Sequence, residues 1–305
     1  MISNSLPSDT HIAGVHLRVA DLQRSADFYS GILGFRQISR ENGSLALSAT
    51  GSPPGLVLFS ERPGAVPKPV RATGLFHVAI HLPDRKSLAR IFQQLLQHKV
   101  QLQGASDHKV SEALYLADPD GNGLELYVDR PREQWPVFEG QVAMTTDRLD
   151  ISSLLAEIRD DREPWEGIAP GTDIGHIHLQ VSDLSQAEAF YHGLIGLDVT
   201  QRSYPGALFL SAGGYHHHVG VNIWNSRGAP PPPADAAGLV SFRIRVPDPP
   251  AWEALVKRIE DASLPIEEHM ESPELADILV RDPSQNAVEL VTDRLPVPKP
   301  YPPAG

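Results

Sequence analysis

The chain has 305 residues, 41% of them hydrophobic and 21% charged, which is ordinary for a globular protein and long enough for two domains with complete cores. Its net charge of −12 at pH 7 makes nucleic acid and anionic membrane surfaces poor partners, because like charges repel. The sequence contains no cysteine, which excludes disulfides, thiolate nucleophiles and iron–sulfur clusters, so any metal must be held by His, Asp, Glu or Tyr.

The N-terminal residues do not show the pattern of a secretory signal peptide. Residues 1–12 lack a basic region followed by an apolar run, and no stretch of the chain reaches the roughly 18 apolar residues of a membrane span. We therefore expect a cytoplasmic enzyme with no membrane partner. A homo-oligomer is compatible with this composition.

Two stretches of the sequence each occur twice. Residues 14–35 match residues 176–197, and residues 74–130 match residues 238–294 without a gap. Because an internal repeat constrains the fold more strongly than local propensity does, we predict four related units in tandem. The expected order is units 1 and 2 over 10–135, a linker with a helix over 136–173, units 3 and 4 over 174–294, and a proline-rich tail over 295–305.

Each unit is predicted to contain a strand, a helix and then further strands. In unit 2, a strand over 76–82 precedes a helix over 85–100, and the sequence DPDGNG (118–123) predicts a turn before the last strand. The linker contains a predicted helix over 148–161. These patterns favour a mixed fold with more strands than helices.

Unit 3 repeats this plan. Residues 177–181 alternate as in a strand, and residues 184–196 carry apolar side chains at helical spacing. Residues 208–214 and 216–224 are typical of a β-hairpin, whose second strand would begin with three consecutive histidines. In a strand, the first and third histidines would share one face and the second would lie on the other.

The duplicated units differ at positions that carry chemically useful side chains. Unit 2 and unit 4 pair His77 with Ser241, His108 with Ser272, and Tyr115 with Leu279. In the other repeat, His176 of unit 3 matches Gly14 of unit 1. Units 2 and 3 have therefore kept polar groups that their partners lack, and we expect the functional site there.

The four βαβββ-like units and the stretch ASDHKVSEALYLADPDGNGLELY (105–127) resemble the vicinal oxygen chelate superfamily of glyoxalases, bleomycin resistance proteins and extradiol dioxygenases. Within it, the chain is similar to two-domain enzymes of the catechol 2,3-dioxygenase type over roughly residues 10–294. The resemblance implies an α+β fold, in which four βαβββ modules pair into two open barrel-like sheets flanked by helices. It also implies cleavage of a catechol-type aromatic diol with O2, as in aromatic hydrocarbon catabolism.

Carried over residue by residue, the resemblance implies that His77, Glu125 and His176 hold a metal. Two imidazoles and one carboxylate on one face leave adjacent positions open for a diol and O2. Iron(II) is the expected metal, with manganese(II) as the alternative. Zinc has no accessible redox change and cannot pass electron density from the diol to O2.

The same resemblance implies three catalytic residues near the metal. Tyr115 corresponds to a tyrosine that donates a hydrogen bond to a substrate oxygen, and His108 corresponds, with a small shift in position, to a loop histidine. A further histidine would accept a proton from the diol. His108 or one of the three consecutive histidines could serve, and among those three His217 is preferred over His216 and His218.

Several alternatives are compatible with the sequence. We predict that unit 2 pairs with unit 3 and unit 1 with unit 4, but a site between units 3 and 4 would use His176, one of residues 216–218, and Glu289. The alternative functions are a metal-dependent glyoxalase-like lyase or isomerase, and a non-enzymatic small-molecule-binding protein of the same fold. Three strand histidines are expected to be solvent or interface residues, namely His16, His81 and His178.

Overall fold

The computed structural model describes residues 5–267 and 275–293. The proline-rich tail predicted over 295–305 lies outside these residues, as does Ser272. Within the described ranges no helix is long and apolar enough to cross a bilayer.

Units 1 and 2 each contain a strand, a helix and three further strands. Unit 1 consists of β1 (His11–Val19), α1 (Leu22–Ala26), a π-helical continuation over Asp27–Ile32, β2 (Arg36–Glu41), β3 (Ser44–Ser48) and β4 (Val57–Glu61). Unit 2 consists of β5 (Gly74–His81), α2 (Arg85–Gln97), β6 (Leu102–Asp107), β7 (Ser111–Ala117) and β8 (Gly123–Asp129).

The linker and the second half of the chain follow. The linker contains a 3-10 turn (Arg132–Gln134), β9 (Val137–Phe138), β10 (Gln141–Val142), β11 (Asp147–Arg148) and α3 (Ile151–Ala156). Unit 3 consists of β12 (Asp173–Gln180), α4 (Leu184–Glu188), a π-helical continuation over Ala189–Ile195, β13 (Asp198–Gln201), β14 (Ala207–Ser211) and β15 (Val219–Asn222). Unit 4 consists of β16 (Gly238–Arg245), α5 (Pro249–Asp261), β17 (Leu275–Arg281) and β18 (Ala287–Asp293).

The helices of the four units begin with the same local chemistry. Each follows an aspartate whose side chain accepts a hydrogen bond from a backbone N–H of the first turn. These aspartates are Asp21, Asp84, Asp183 and Asp248. In α2, the buried residues recur at helical spacing and pack the helix into the main core.

The strands form two large sheets, and each sheet draws on two units. One has the order β17-β18-β16-β1-β4-β3-β2, and the other has the order β11-β6-β7-β8-β5-β12-β15-β14-β13. The antiparallel pairs β1–β16 and β5–β12 join the units in the centre of each sheet. This topology confirms the pairing of unit 2 with unit 3 and of unit 1 with unit 4. The linker between β8 and β12 allows the chain to return to the same sheet.

Buried tyrosines connect the two sheets. The Tyr29 hydroxyl of unit 1 donates to Asp118 Oδ2 in the DPDGNG turn of unit 2, at 3.1 Å. The Tyr191 hydroxyl of unit 3 makes the equivalent bond to Asp282 Oδ2 of unit 4, at 3.0 Å. Burial raises the pKa of both tyrosines well above 10, so each remains a hydrogen-bond donor. The turns are therefore structural, and they fix how the sheets meet.

Candidate metal centre

The three predicted metal ligands meet in the middle of the nine-stranded sheet. His77 lies on β5, His176 on the antiparallel neighbour β12, and Glu125 on β8, which runs parallel to β5. Both histidines direct Nε2 at Glu125 Oε2, at 2.9 Å from His77 and 3.1 Å from His176. All three side chains are buried, and their candidate ligand atoms lie within 4.8 Å of one another.

The protonation state of this cluster suits a divalent metal. Burial lowers the pKa of His176 to about 4, which leaves its imidazole neutral at pH 7. Burial alone would raise the pKa of Glu125, but His176 and His77 outweigh it and hold the pKa well below 4.5. His77 Nε2 is buried and has no aligned hydrogen bond within the described residues. Two imidazoles and one carboxylate fit a divalent first-row metal.

The equivalent place in the seven-stranded sheet is filled by an arginine. Unit 4 carries Arg243 where unit 2 carries Ala79, and Arg243 Nη2 lies 2.7 Å from Glu289 Oε2. The Ser241 hydroxyl donates to the other oxygen of Glu289. A cavity of only about 10 Å³ remains beside Gly14. A guanidinium therefore neutralises this buried carboxylate, and Glu289 lies in a different sheet from His176, with which the alternative metal site would combine it.

A linker carbonyl holds His108 and Tyr115 together. His108 Nδ1 lies 2.6 Å from the Thr145 carbonyl oxygen, and His108 Nε2 lies 2.7 Å from the Tyr115 hydroxyl. A carbonyl only accepts, so His108 Nδ1 carries a proton and donates to it. Burial, followed by the charge and hydrogen bonding of Glu125, raises the pKa of Tyr115 well above 10. Tyr115 therefore keeps its proton.

The three consecutive histidines precede β15, so the strand predicted over 216–224 begins later than expected. The His217 ring lies 4.0 Å from the His176 ring and borders the cavity at the cluster. His216 and His217 approach each other with their Nδ1 atoms 2.9 Å apart. His218 points elsewhere and accepts a hydrogen bond from the Ala212 backbone N–H at 3.2 Å.

We expect His218 to make the metal-free protein sensitive to acid. Burial lowers its pKa to about 3, so the unfolded chain takes up this proton near pH 6.5 while the folded chain does not. Stability is therefore lost as pH falls, by roughly 3 kcal/mol between pH 7 and pH 4. In His218→Asn, Oδ1 can still accept from Ala212 without titrating. Urea unfolding at pH 7 and pH 4 should show a smaller loss of stability in His218→Asn than in the wild type. Equal losses in the two proteins would contradict the role given to His218.

A cavity of about 270 Å³ opens beside the cluster. Its walls include His108, Tyr115 and His217, so the structure brings these three predicted residues together with the three ligands. The remaining walls are mainly apolar and aromatic, formed by Phe76, Val110, Met144, Tyr204, Phe209 and Trp224. No lysine or arginine of the described chain borders this cavity.

Sequence reasoning missed His178, which was expected at the solvent or at an interface. It is buried, its ring lies 4.9 Å from the His77 ring, and it borders the cavity. Its Nε2 atom has no hydrogen-bond partner among the described residues. The signal was present, because residues 176 and 178 of one strand share a face. The linker also contributes unexpected walls through residues 144–146.

The chain belongs to the Glyoxalase/Bleomycin resistance protein/Dioxygenase superfamily, which matches residues 10–126 and 173–290. Within that class, it is 44% identical to a catechol-2,3-dioxygenase of Bacillus subtilis strain 168, across 93% of this chain and 97% of that protein. It is 28% identical to a biphenyl-2,3-diol 1,2-dioxygenase 3 of Rhodococcus globerulus, across 45% of this chain and 73% of that protein.

Solved structures show the same fold at low sequence identity. A crystal structure from Bacillus subtilis strain 168 aligns with a TM-score of 0.65 and 14% identity, covering 95% of this chain and 87% of that one. Glyoxalase I from Zea mays aligns with a TM-score of 0.57 and 15% identity, covering 93% of this chain and 92% of that one. The resemblance and the fold class inferred from the sequence are thereby confirmed.

Proposed function

We propose that this chain is an extradiol ring-cleavage dioxygenase, which opens a catechol-type ring with O2 at a metal held by His77, Glu125 and His176. The observation that carries this proposal is the convergence of two buried imidazoles and one carboxylate beside an aromatic-lined cavity, which His77 and Glu125 border. The similarity to a catechol-2,3-dioxygenase over nearly the whole chain supports it. Iron(II), or manganese(II) as the alternative, would supply electron transfer between the bound diol and O2.

The surrounding side chains would bind the diol and move its proton. Burial lowers the pKa of His217 well below 6.5, so this histidine is neutral and can accept a proton from a hydroxyl of the substrate. Tyr115 keeps its proton and would donate a hydrogen bond to a substrate oxygen. His108 holds the Tyr115 hydroxyl at 2.7 Å and so fixes its direction.

The cavity favours substrates without a charged substituent. Its volume of about 270 Å³ lies near the lower end of small-molecule sites, which measure about 300–1,000 Å³, so a single ring fits better than a fused system. No lysine or arginine borders it within the described residues, and Glu125 contributes a negative charge. A carboxylate on the ring would therefore be desolvated without a cation to balance it.

We expect the iron-loaded enzyme to cleave catechol and 4-methylcatechol, and to discriminate against 3,4-dihydroxyphenylacetate by at least about 100-fold in kcat/KM. An uncompensated buried charge costs several kcal/mol, which exceeds the roughly 1–3 kcal/mol expected from size alone. O2 uptake and the absorbance of the yellow ring-opened product measure the reaction. Equal kcat/KM for the three substrates would contradict the charge argument. Absence of O2 uptake with every catechol would contradict the proposed function.

A further inference from the structure

His217 is the inner end of a chain of hydrogen bonds that leads away from the cavity. Its Nδ1 atom lies 2.9 Å from Nδ1 of His216, and His216 Nε2 lies 3.0 Å from Asp129 Oδ1. Asp129 is the last residue of β8, the strand that carries Glu125. This chain of hydrogen bonds therefore joins unit 2 to unit 3, as the metal cluster does.

The ring of His216 is held in place by packing. Its side chain is 1% exposed and lies 4.1 Å from the Tyr215 ring and 5.2 Å from the Trp135 ring, measured between centroids. Both of its nitrogens take part in the hydrogen-bond chain. His216 and His217 also form a second group of potential metal ligands with His176, but both nitrogens of His216 are engaged in this chain of hydrogen bonds.

The direction of the hydrogen bonds follows from the carboxylate. Burial would raise the pKa of Asp129, but hydrogen bonding, first from His216 and also from Tyr215, helps to outweigh it and lower the pKa, so Asp129 is ionised and only accepts. His216 Nε2 therefore carries a proton, and in a singly protonated ring Nδ1 is the acceptor. His217 must then donate from Nδ1, which is the atom of its only side-chain hydrogen bond within the described residues. Its Nε2 atom is left with a lone pair.

We propose that Asp129 and His216 are positioning residues that hold His217 in the Nδ1–H tautomer, with Nε2 ready to accept a proton from the substrate. This inference rests on the proposed function, because it assigns partners to the proposed proton acceptor. In the step concerned, the O–H bond of the diol breaks and an Nε2–H bond forms on His217. The positive charge that develops on His217 is balanced through His216 by the carboxylate of Asp129.

Two substitutions at one position separate this role from simple packing. His216→Phe keeps a planar ring between Tyr215 and Trp135 but removes the acceptor for His217. His216→Asn loses the ring but places Oδ1 near the position of Nδ1, where it can accept. We expect kcat for catechol to fall at least about tenfold in His216→Phe and to recover partly in His216→Asn, with KM and metal content unchanged in both. A packing role predicts the reverse order.

The tautomer itself can be measured without turnover. In metal-free protein labelled with ¹⁵N-histidine, with His217 assigned by difference from His217→Gln, we expect the Nδ1–H form in the wild type and a mixture in His216→Phe. An Nε2–H form of His217 in the wild type, or unchanged kcat in His216→Phe, would overturn the proposal. If the wild type cleaves no catechol, the proposed function fails. The ¹⁵N shifts of the wild type still decide the tautomer if His216→Phe does not fold.

Discussion

Glu125→Gln is expected to remove most of the metal affinity and turnover, whereas Glu289→Gln leaves both nearly intact. The two glutamates occupy equivalent positions of the repeat, but Glu125 faces His77 and His176 while Glu289 faces Arg243. Loss of a residue that only supports a metal ligand typically costs about 10–100-fold in affinity or activity. Loss of the anionic ligand itself should cost more than about 100-fold.

Metal content after dialysis against limiting iron(II), together with kcat/KM for catechol, measures both effects. Glu289→Gln also breaks an ion pair with Arg243, so both variants should be assayed well below their unfolding temperatures. His77→Gln replaces a second ligand and should lose metal as Glu125→Gln does. Wild-type metal content and activity in Glu125→Gln would refute the assignment of the ligands.

Arg243→Met is expected to destabilise the fold by about 3 kcal/mol without changing metal content. The Glu289 side chain is 4% exposed and the Arg243 side chain is 23% exposed, so the variant removes the cation beside a buried carboxylate. Breaking such a pair by removing one partner costs about 3–5 kcal/mol, and partial solvation of Arg243 places the effect at the lower end. The guanidinium of Arg243 thus balances the charge of the buried Glu289 carboxylate, as a metal would balance the charge of Glu125.

Urea unfolding measures this loss, and two variants serve as controls. Arg245 lies on the same strand as Arg243 and forms an exposed ion pair with Asp293 of β18. Arg245→Met removes this pair and should cost less than about 1 kcal/mol. The double variant Arg243→Met with Glu289→Gln removes both charges and should recover much of the stability lost in Arg243→Met. Equal stability of Arg243→Met and wild type would show that the guanidinium does not stabilise Glu289.

The sequence predicted the fold well because each repeated stretch occurs twice, so its two copies can be compared within one chain. The aspartates that begin the helices and the turn at 118–123 recur at matching positions, so the unit could be recognised in each copy. The replacement of His77 by Ser241 and of His176 by Gly14 indicated which units share a sheet. Residues that differ between duplicated copies were therefore more informative than residues that recur.

The features that the sequence did not predict depend on tertiary contacts. Periodicity assigned the three histidines to a strand, but the loop before β15 brings His216 and His217 towards each other. His178 shares a strand face with His176, but its burial depends on the neighbouring strands β5 and β15, which the sequence pattern of β12 does not show. The linker carbonyl at Thr145 that contacts His108 belongs to the backbone, so no side-chain pattern could reveal it.

The central claim is that one metal lies between units 2 and 3, and anomalous diffraction from crystals of the iron-loaded protein tests it most directly. Data collected on both sides of the iron absorption edge should give one peak per chain, bounded by His77 Nε2, His176 Nε2 and a carboxylate oxygen of Glu125. Ligand distances near 2.0–2.2 Å would be expected, by analogy with other first-row metals bound by His and carboxylate. A peak beside Glu289, or one held by His176, His216 and His217 without Glu125, would contradict the claim.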